Sequence, residues 1–307
     1  MSKRASREAS LRKLRPNGPP RERSTPSQPT SPKAGSVILY SSKPVVTIAE
    51  TTPIRSAIET MNTRGFRRIP VVNPGNGRLE GVVTARDILD FFGGSGRGLV
   101  ERKLGGNLLS AFNSPVSSVM HTDIVSIGFN EHIREAIQRM SEKKLGGLPV
   151  VDSDRRVVGI LTERDIILKL SHRLPDKTVG EVMTVGLITV SSNSTVGLAI
   201  EKMLRYGFRR LPVLEGGKVV GMITMRSIIS YFGKAEDWLL QDILSLPVTR
   251  LSFSEFGGAS PGTKLSEAVD IMRDRDIGAL LVTGPDFELL GIITERDVFD
   301  IVAKTYL

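Results

Sequence analysis

No cysteine occurs in this 307-residue chain. Its absence excludes disulfide staples, thiolate nucleophiles and cysteine-built zinc sites. Histidine is almost as scarce. His121, His132 and His172 stand at no metal-ligand spacing, so no metal centre is expected. The carboxylates fall in caps, turns and helix faces, with no evident acid–base pair among them, so an enzyme is not expected either. Long apolar runs are missing: none approaches the roughly 18 residues that a membrane helix needs. The N-terminal stretch is polar and basic without the apolar middle section of a secretory signal, and cytoplasm is the expected location.

Acid is scarce in one region only. Residues 1–36 carry nine Lys or Arg against Glu8 and Glu22, which places +7 of the net +9 there and leaves the rest of the chain close to neutral. The same stretch holds six prolines and seven serines and few large apolar residues. It cannot bury enough surface to offset its ordering entropy, so residues 1–36 are expected to be a disordered basic tail. Ser6 to Arg15 has the pattern of a basic helix formed on a partner such as nucleic acid or an acidic protein surface.

What is present, from about Val37 onward, is repetition. One element is written four times: Gly81-Val-Val-Thr-Ala-Arg-Asp87, Gly159-Ile-Leu-Thr-Glu-Arg-Asp165, Gly221-Met-Ile-Thr-Met-Arg-Ser227 and Gly291-Ile-Ile-Thr-Glu-Arg-Asp297. Each reads as a short buried strand that breaks at Thr into a helix. Thr-x-x-Asp is a variant of the capping box, in which the two side chains satisfy orphan backbone N–H groups. A helix start of this kind also presents free N–H groups and the positive dipole end, where an anion is held well. A single copy does not decide between these readings.

Other features repeat in step with it. Amphipathic helices carry Ala57-Ile58 with Met61, Ala136-Ile137 with Met140, Ala199-Ile200 with Met203, and Ala268-Val269 with Met272, a spacing that makes a core-facing stripe. From helix Ala to motif Thr the distances are 27, 26, 25 and 26 residues. Between them lie strands around Pro70, Pro149, Pro212 and Leu281, followed by turns rich in Gly, Asn and Asp. Each repeat is expected to open with an extended segment bearing Thr47, Ser126, Thr189 or Thr249, and Ser252 to Ser260 is expected to be a loop. Gly93 to Gly98 is followed by no Gly-Lys-Ser/Thr and reads as a connector, not a phosphate loop. The repeats also alternate. The first and third share Gly-Phe-Arg-Arg (Arg67-Arg68, Arg209-Arg210), where the second and fourth have Gly146-Gly147 and Gly278-Ala279. A unit of about 60 residues is marginal alone, so the alternation implies a doubled two-repeat unit whose members bury their sheets against each other.

This order of strand, helix, strand, strand and helix, ending in Gly-x-x-Thr-x-Arg-Asp, resembles the CBS (cystathionine beta-synthase) domain, and the resemblance covers everything except the tail. It implies an α+β (α/β-like) fold of four CBS repeats paired into two pseudo-twofold modules, a layout similar to that of the gamma subunits of AMP-activated protein kinase. The first pair would span 37–172 (repeats about 43–92 and 114–172) and the second 173–307 (repeats about 177–233 and 239–304). The resemblance further implies clefts that bind adenosyl ligands such as AMP, ADP, ATP or S-adenosylmethionine.

Carried over residue by residue, Asp87, Asp165 and Asp297 would accept hydrogen bonds from ribose hydroxyls, as a pure acceptor does well. Thr84, Thr162, Thr224 and Thr294 would lie near phosphate or sugar, and Thr47, Ser126, Thr189 and Thr249 beside the nucleoside. Arg67, Arg68, Arg209 and Arg210 would reach phosphates with guanidinium forks. Ser227 departs from the pattern, so that cleft is expected to be empty, weaker or differently selective. The expected function is ligand-sensing regulation by an adenine nucleotide, AMP first, as a homodimer that signals to a protein partner without bound cofactor, metal or membrane. Two alternatives stand beside it: nucleic-acid binding or scaffolding through the basic tail, and S-adenosylmethionine as the ligand.

Overall fold

The computed structural model describes residues 32–105, 107–234, 239–254 and 256–307. Residues 33–307 form one compact unit. The expectation of a disordered tail falls on residues 1–31, outside the described residues. It does not hold for residues 33–36, because Ser36 is buried, Ile133 N–H donates to the Gly35 carbonyl and Val37 N–H to that of Glu131.

Repeat one comprises β1 (Ile48–Ala49), α1 (Ile54–Arg64), β2 (Arg68–Val72), β3 (Leu79–Thr84) and α2 (Ala85–Gly93). The connectors α3 (Arg97–Lys103) and α4 (Leu108–Phe112) follow. Repeat two comprises β4 (Ile127–Gly128), α5 (Ile133–Glu142), β5 (Gly147–Val151), β6 (Val157–Thr162) and α6 (Glu163–Leu170), and the short α7 (Val179–Val182) leads onward. Repeat three comprises β7 (Val190–Ser191), α8 (Val196–Tyr206), β8 (Arg210–Glu215), β9 (Lys218–Thr224) and α9 (Met225–Lys234). After α10 (Leu240–Ser245), repeat four comprises β10 (Gly258–Ala259), α11 (Leu265–Asp274), β11 (Ala279–Thr283), β12 (Leu289–Thr294) and α12 (Glu295–Tyr306).

Each repeat makes a three-stranded sheet in chain order, its first pair parallel and its second antiparallel. A parallel pair needs a crossover, and the amphipathic helix supplies it. The stripes are buried as the periodicity requires: Ile54, Ala57, Ile58 and Met61 on α1, with the equivalent four residues on α5, α8 and α11. Gly65 and Gly207 end α1 and α8 in the left-handed region (φ 72° and 76°), where the absence of a Cβ removes the steric penalty.

The opening strand of repeat four is not where local pattern placed it. Val248–Arg250 is a 3-10 turn with Thr249 exposed, and the strand is Gly258–Ala259, within the stretch expected to be a loop. Val-Thr-Arg-Leu has the β-branched look of a strand. Gly258 and Ala259 become one only by pairing with Leu281 and Val282.

The segments before the repeats are exchanged. The segment before repeat one lies on repeat two (Ser36 with His132, Ser42 with Ile160), and the segment before repeat two lies on repeat one (Pro115 with Pro53, His121 with Val82). Repeats three and four do the same through Thr184 with Ile292 and Phe253 with Met222. This reciprocal clasp makes two couples, one–two and three–four.

The helices then build a second contact, between the couples. One core joins repeats one and three through Ile58, Phe92, Phe112, Ile200 and Phe232, and another joins repeats two and four through Ile137, Ile166, Val269 and Phe299. Phe92 lies 5.1 Å from Phe232 and 5.2 Å from Phe112, centroid to centroid. Exchanged segments clasp each couple together, and helices hold couple to couple.

Candidate functional site

Each motif Thr is the N-cap of the helix it opens. Thr84, Thr162 and Thr294 have extended backbone, and their side chains accept from the N–H of Asp87, Asp165 and Asp297. The carboxylate answers with one oxygen. Oδ2 accepts from the Thr backbone N–H at 2.8 Å in all three and from the Thr hydroxyl at 2.8, 2.5 and 2.7 Å. The capping reading is therefore realised, and it leaves the second oxygen, Oδ1, directed elsewhere. The Thr hydroxyls line the clefts with their donors committed to the Asp, so they orient the carboxylate.

Oδ1 meets the exchanged segment in every case. Ser42 Oγ donates to Asp165 at 2.7 Å, Thr184 Oγ1 donates to Asp297 at 3.2 Å, and His121 Nε2 lies 2.7 Å from Asp87. In repeat three Ser227 Oγ turns back to the Thr224 carbonyl at 2.9 Å, and the exchanged segment bridges Met222 through Phe253, as His121 bridges Val82 in repeat one. The carboxylate and its polar neighbour are thus lost together. Soaking crystals in AMP is expected to give lower occupancy beside Ser227 than beside Asp165. Full density at Ser227 with none at Asp165 would reverse that assignment.

Three cavities meet at the middle of the molecule, each of a size that suits a small organic ligand. One of about 420 Å³ surrounds Asp165 and is walled by Lys43 to Val46, Pro70 and Ile160. One of about 370 Å³ surrounds Asp297, with Gly186 to Ile188, Phe208 and Pro212. The third, about 630 Å³, runs from Asp87 and His121 to Ser227 and Phe253. Thr47, Ser126 and Thr189 line none of the three. Residues 45–46 and 187–188, just before Thr47 and Thr189, form the walls instead, and Thr249 lies in the clasp on repeat three.

Arg67 lines all three cavities, Arg68 lines the first and third described, and Arg209 and Arg210 line the Asp297 cavity and the large one. The alternation with glycine has a steric cause. A Cβ at Gly146 would lie 2.5 Å from Arg68 Nη2 and 2.8 Å from Arg209 Nη2, and one at Gly278 would lie 2.5 Å from Arg67 Nη2. Small residues in the even repeats make room for the guanidiniums of the odd ones. Desolvation at this centre, followed by the neighbouring Arg209, pushes Arg68 down to about 10. Desolvation and Arg67 do the same to Arg210. Arg67 is desolvated too, but Glu295 outweighs this and holds it above the usual arginine value.

Several residues at the centre carried no sequence signal strong enough to single them out. Glu163 and Glu295 are buried and ion-paired to arginines of the opposite couple. The motif arginines also cross: Arg86 donates to the Leu204 carbonyl at 2.7 Å, and Arg164 to Asp276 at 2.6 Å and to the Met272 carbonyl at 2.8 Å. Lys144 takes φ 52° at the position of Gly65 and Gly207 and reaches two of the cavities. The one available signal was complementarity, since Thr-Glu-Arg-Asp occurs only in the repeats that lack Arg-Arg.

The CBS domain model matches residues 35–94, 116–172, 179–234 and 258–304. The uncharacterized protein MJ1225 of Methanocaldococcus jannaschii is 35% identical over 266 residues, 83% of this chain and 94% of that protein. Its crystal structure, described as that of a proposed archaeal homolog of g-AMPK, superposes with a TM-score of 0.80 at 33% identity, over 87% of this chain and 99% of that one. An uncharacterized 33.4 kDa protein from the ribosomal RNA operon of Thermofilum pendens is 30% identical over 83% of this chain and 87% of its own length. Four matched repeats, four like sheets and a relative similar along nearly its whole length lead to one conclusion: this chain belongs to the CBS domain family.

Proposed function

We propose that this protein is a ligand-sensing regulator that binds adenine nucleotides, AMP first, in the clefts at Asp165 and Asp297. One observation carries the reading. Each of these clefts joins a carboxylate oxygen that the helix cap does not use, and that a hydroxyl of the exchanged segment (Ser42 or Thr184) now meets, to a shared centre of guanidiniums along an apolar wall. A ribose would give its hydroxyls to Oδ1, the base would lie along residues 45–46 or 187–188, and phosphate would reach Arg68 or Arg210. The description of the MJ1225 structure as a proposed homolog of g-AMPK supports the same direction.

Ligand in either cleft touches both repeats of a couple and the centre between couples. It would favour one relative placement of the repeats and so change a surface read by a protein partner. A homodimer is part of this reading, and light scattering on the full chain checks it. Among the described residues no helix is long and apolar enough to cross a membrane.

A thermal-shift panel of AMP, ADP, ATP and S-adenosylmethionine tests the ligand. Ligand at a hundred times Kd stabilises by about 2.7 kcal/mol, which for a domain of this size raises Tm by roughly 5 °C. A rise with S-adenosylmethionine and none with the nucleotides would transfer the site to that ligand. No rise with any would end the reading. The alternative of nucleic-acid binding through the basic N-terminal residues rests on their charge and is checked by gel shifts of the full chain against residues 37–307.

A further inference from the structure

Glu163 and Glu295 are the first residues of α6 and α12, and their side chains are only 4% and 6% exposed. Buried carboxylates persist when paired, and the partners here are unusual. Glu163 Oε1 receives Arg296 Nη1 at 3.0 Å, and Glu163 Oε2 lies 3.6 Å from Arg209 Nη1. Glu295 Oε2 receives Arg67 Nη1 at 2.6 Å, and its Oε1 lies 3.6 Å from Arg164 Nε. All four arginines belong to the opposite couple. Both glutamates line the Asp165 cavity and the Asp297 cavity alike, and Glu295 Oε1 is buried there with no hydrogen bond.

The arginine pairs are thereby divided in the same way at both clefts. At the Asp165 cavity Arg67 is committed to Glu295, whereas Arg68 donates to the Gly147 carbonyl at 2.9 Å and has no ion-pair partner among the described residues. At the Asp297 cavity Arg209 faces Glu163, whereas Arg210 has no ion-pair partner among the described residues. Among the described residues, each cleft thus offers one guanidinium outside any ion pair and one with its anion already in place. The odd repeats carry Ala85 and Met225 at the glutamate position, so the carboxylates occur only in the helices that face the arginine pairs.

We propose that Glu163 and Glu295 are specificity-determining residues: resident anions on Arg209 and Arg67 that select against ligands with longer phosphate chains. The proposal rests on the adenine-nucleotide reading and deepens it. A single phosphate is satisfied by Arg68 or Arg210. A second or third must approach Arg67 or Arg209, where it either displaces the glutamate or lies beside a buried like charge, and like charges repel strongly where water is excluded. Displacement would also break the ion pairs that join the couples, so longer phosphate chains would loosen their contact as they bind.

The test is titration calorimetry of the full chain with AMP and with metal-free ATP, on the wild type and on Glu163→Gln and Glu295→Gln. The wild type is expected to prefer AMP. Each glutamine variant is expected to gain about tenfold in ATP affinity and less than about threefold in AMP affinity, shifting the ratio by several-fold. A merely structural role would move both affinities together and leave the ratio in place, which refutes the proposal. Should a glutamine variant fail to fold, the wild type alone still decides, because equal or tighter ATP binding is incompatible with resident anions on these arginines. Binding of both nucleotides with an unmoved ratio defeats only the glutamate assignment and leaves the cleft reading intact. Absence of binding by either nucleotide defeats both.

Discussion

Asp165→Ala combined with Asp297→Ala is expected to remove the proposed high-affinity AMP binding while the chain remains folded. The two oxygens of each carboxylate do different work, and this separates the effects. Oδ2 belongs to the helix cap, and losing it costs stability of about 1 kcal/mol per site, the range seen for cap removal. The Thr162 and Thr294 hydroxyls still accept from the backbone N–H of position 165 or 297, so each helix start survives. Oδ1, which now accepts from Ser42 at Asp165 and from Thr184 at Asp297, is the oxygen that ribose hydroxyls would take over. A hydrogen bond to a charged acceptor contributes about 1.5–3 kcal/mol, and two hydroxyls per site give a loss of at least about a hundredfold in affinity.

Calorimetry on the double variant measures this directly, with circular dichroism as the control for fold. An unchanged Kd would show that these carboxylates are caps and nothing more.

Phe92→Ala is expected to be strongly destabilising. Its ring is fully buried and touches Phe112 beside it and Phe232 in the other couple. Truncation leaves a cavity bounded by two rings on different repeats, which cannot close without moving the couples together. Phe→Ala changes at such sites cost about 3–5 kcal/mol, a large part of the 5–15 kcal/mol that holds a typical domain folded. The melting temperature should fall by about 6–9 °C, read by calorimetric or dichroic melting. Phe92→Leu retains most of the volume and should cost less than about 1.5 kcal/mol. Equal melting of the alanine variant and the parent would mean that the helix faces do not join the couples.

Much of the fold was legible because it is local. Ala57, Ile58 and Met61 mark a helical stripe by spacing alone, and the three equivalent stripes are buried in the same way. Thr-x-x-Asp announced both a helix start and a candidate acceptor, and the structure divides those two roles between the oxygens of one side chain. The errors came where local pattern and pairing disagree. Thr249 sits in a sequence that resembles a strand but forms a turn in the clasp. Gly258 and Ala259 have little strand preference and pair because Leu281 and Val282 lie beside them. Thr47, Ser126 and Thr189 are expected beside the nucleoside by resemblance; the cavities at Asp165 and Asp297 are walled by residues 45–46 and 187–188, immediately before Thr47 and Thr189.

The amino-acid sequence by itself determined four like units, their helix stripes, their caps and the alternation of Arg-Arg with glycine, since each depends on neighbours within a few residues or on simple repetition. Only the tertiary structure decided which unit faces which. It brought Ser42 to Asp165, Glu163 to Arg296 and Arg67 to Glu295, pairs separated by 123, 133 and 228 positions. No period or propensity encodes such meetings. They follow from closing two cores at once, which drives charged side chains from distant segments into one poorly hydrated centre where each must find a partner.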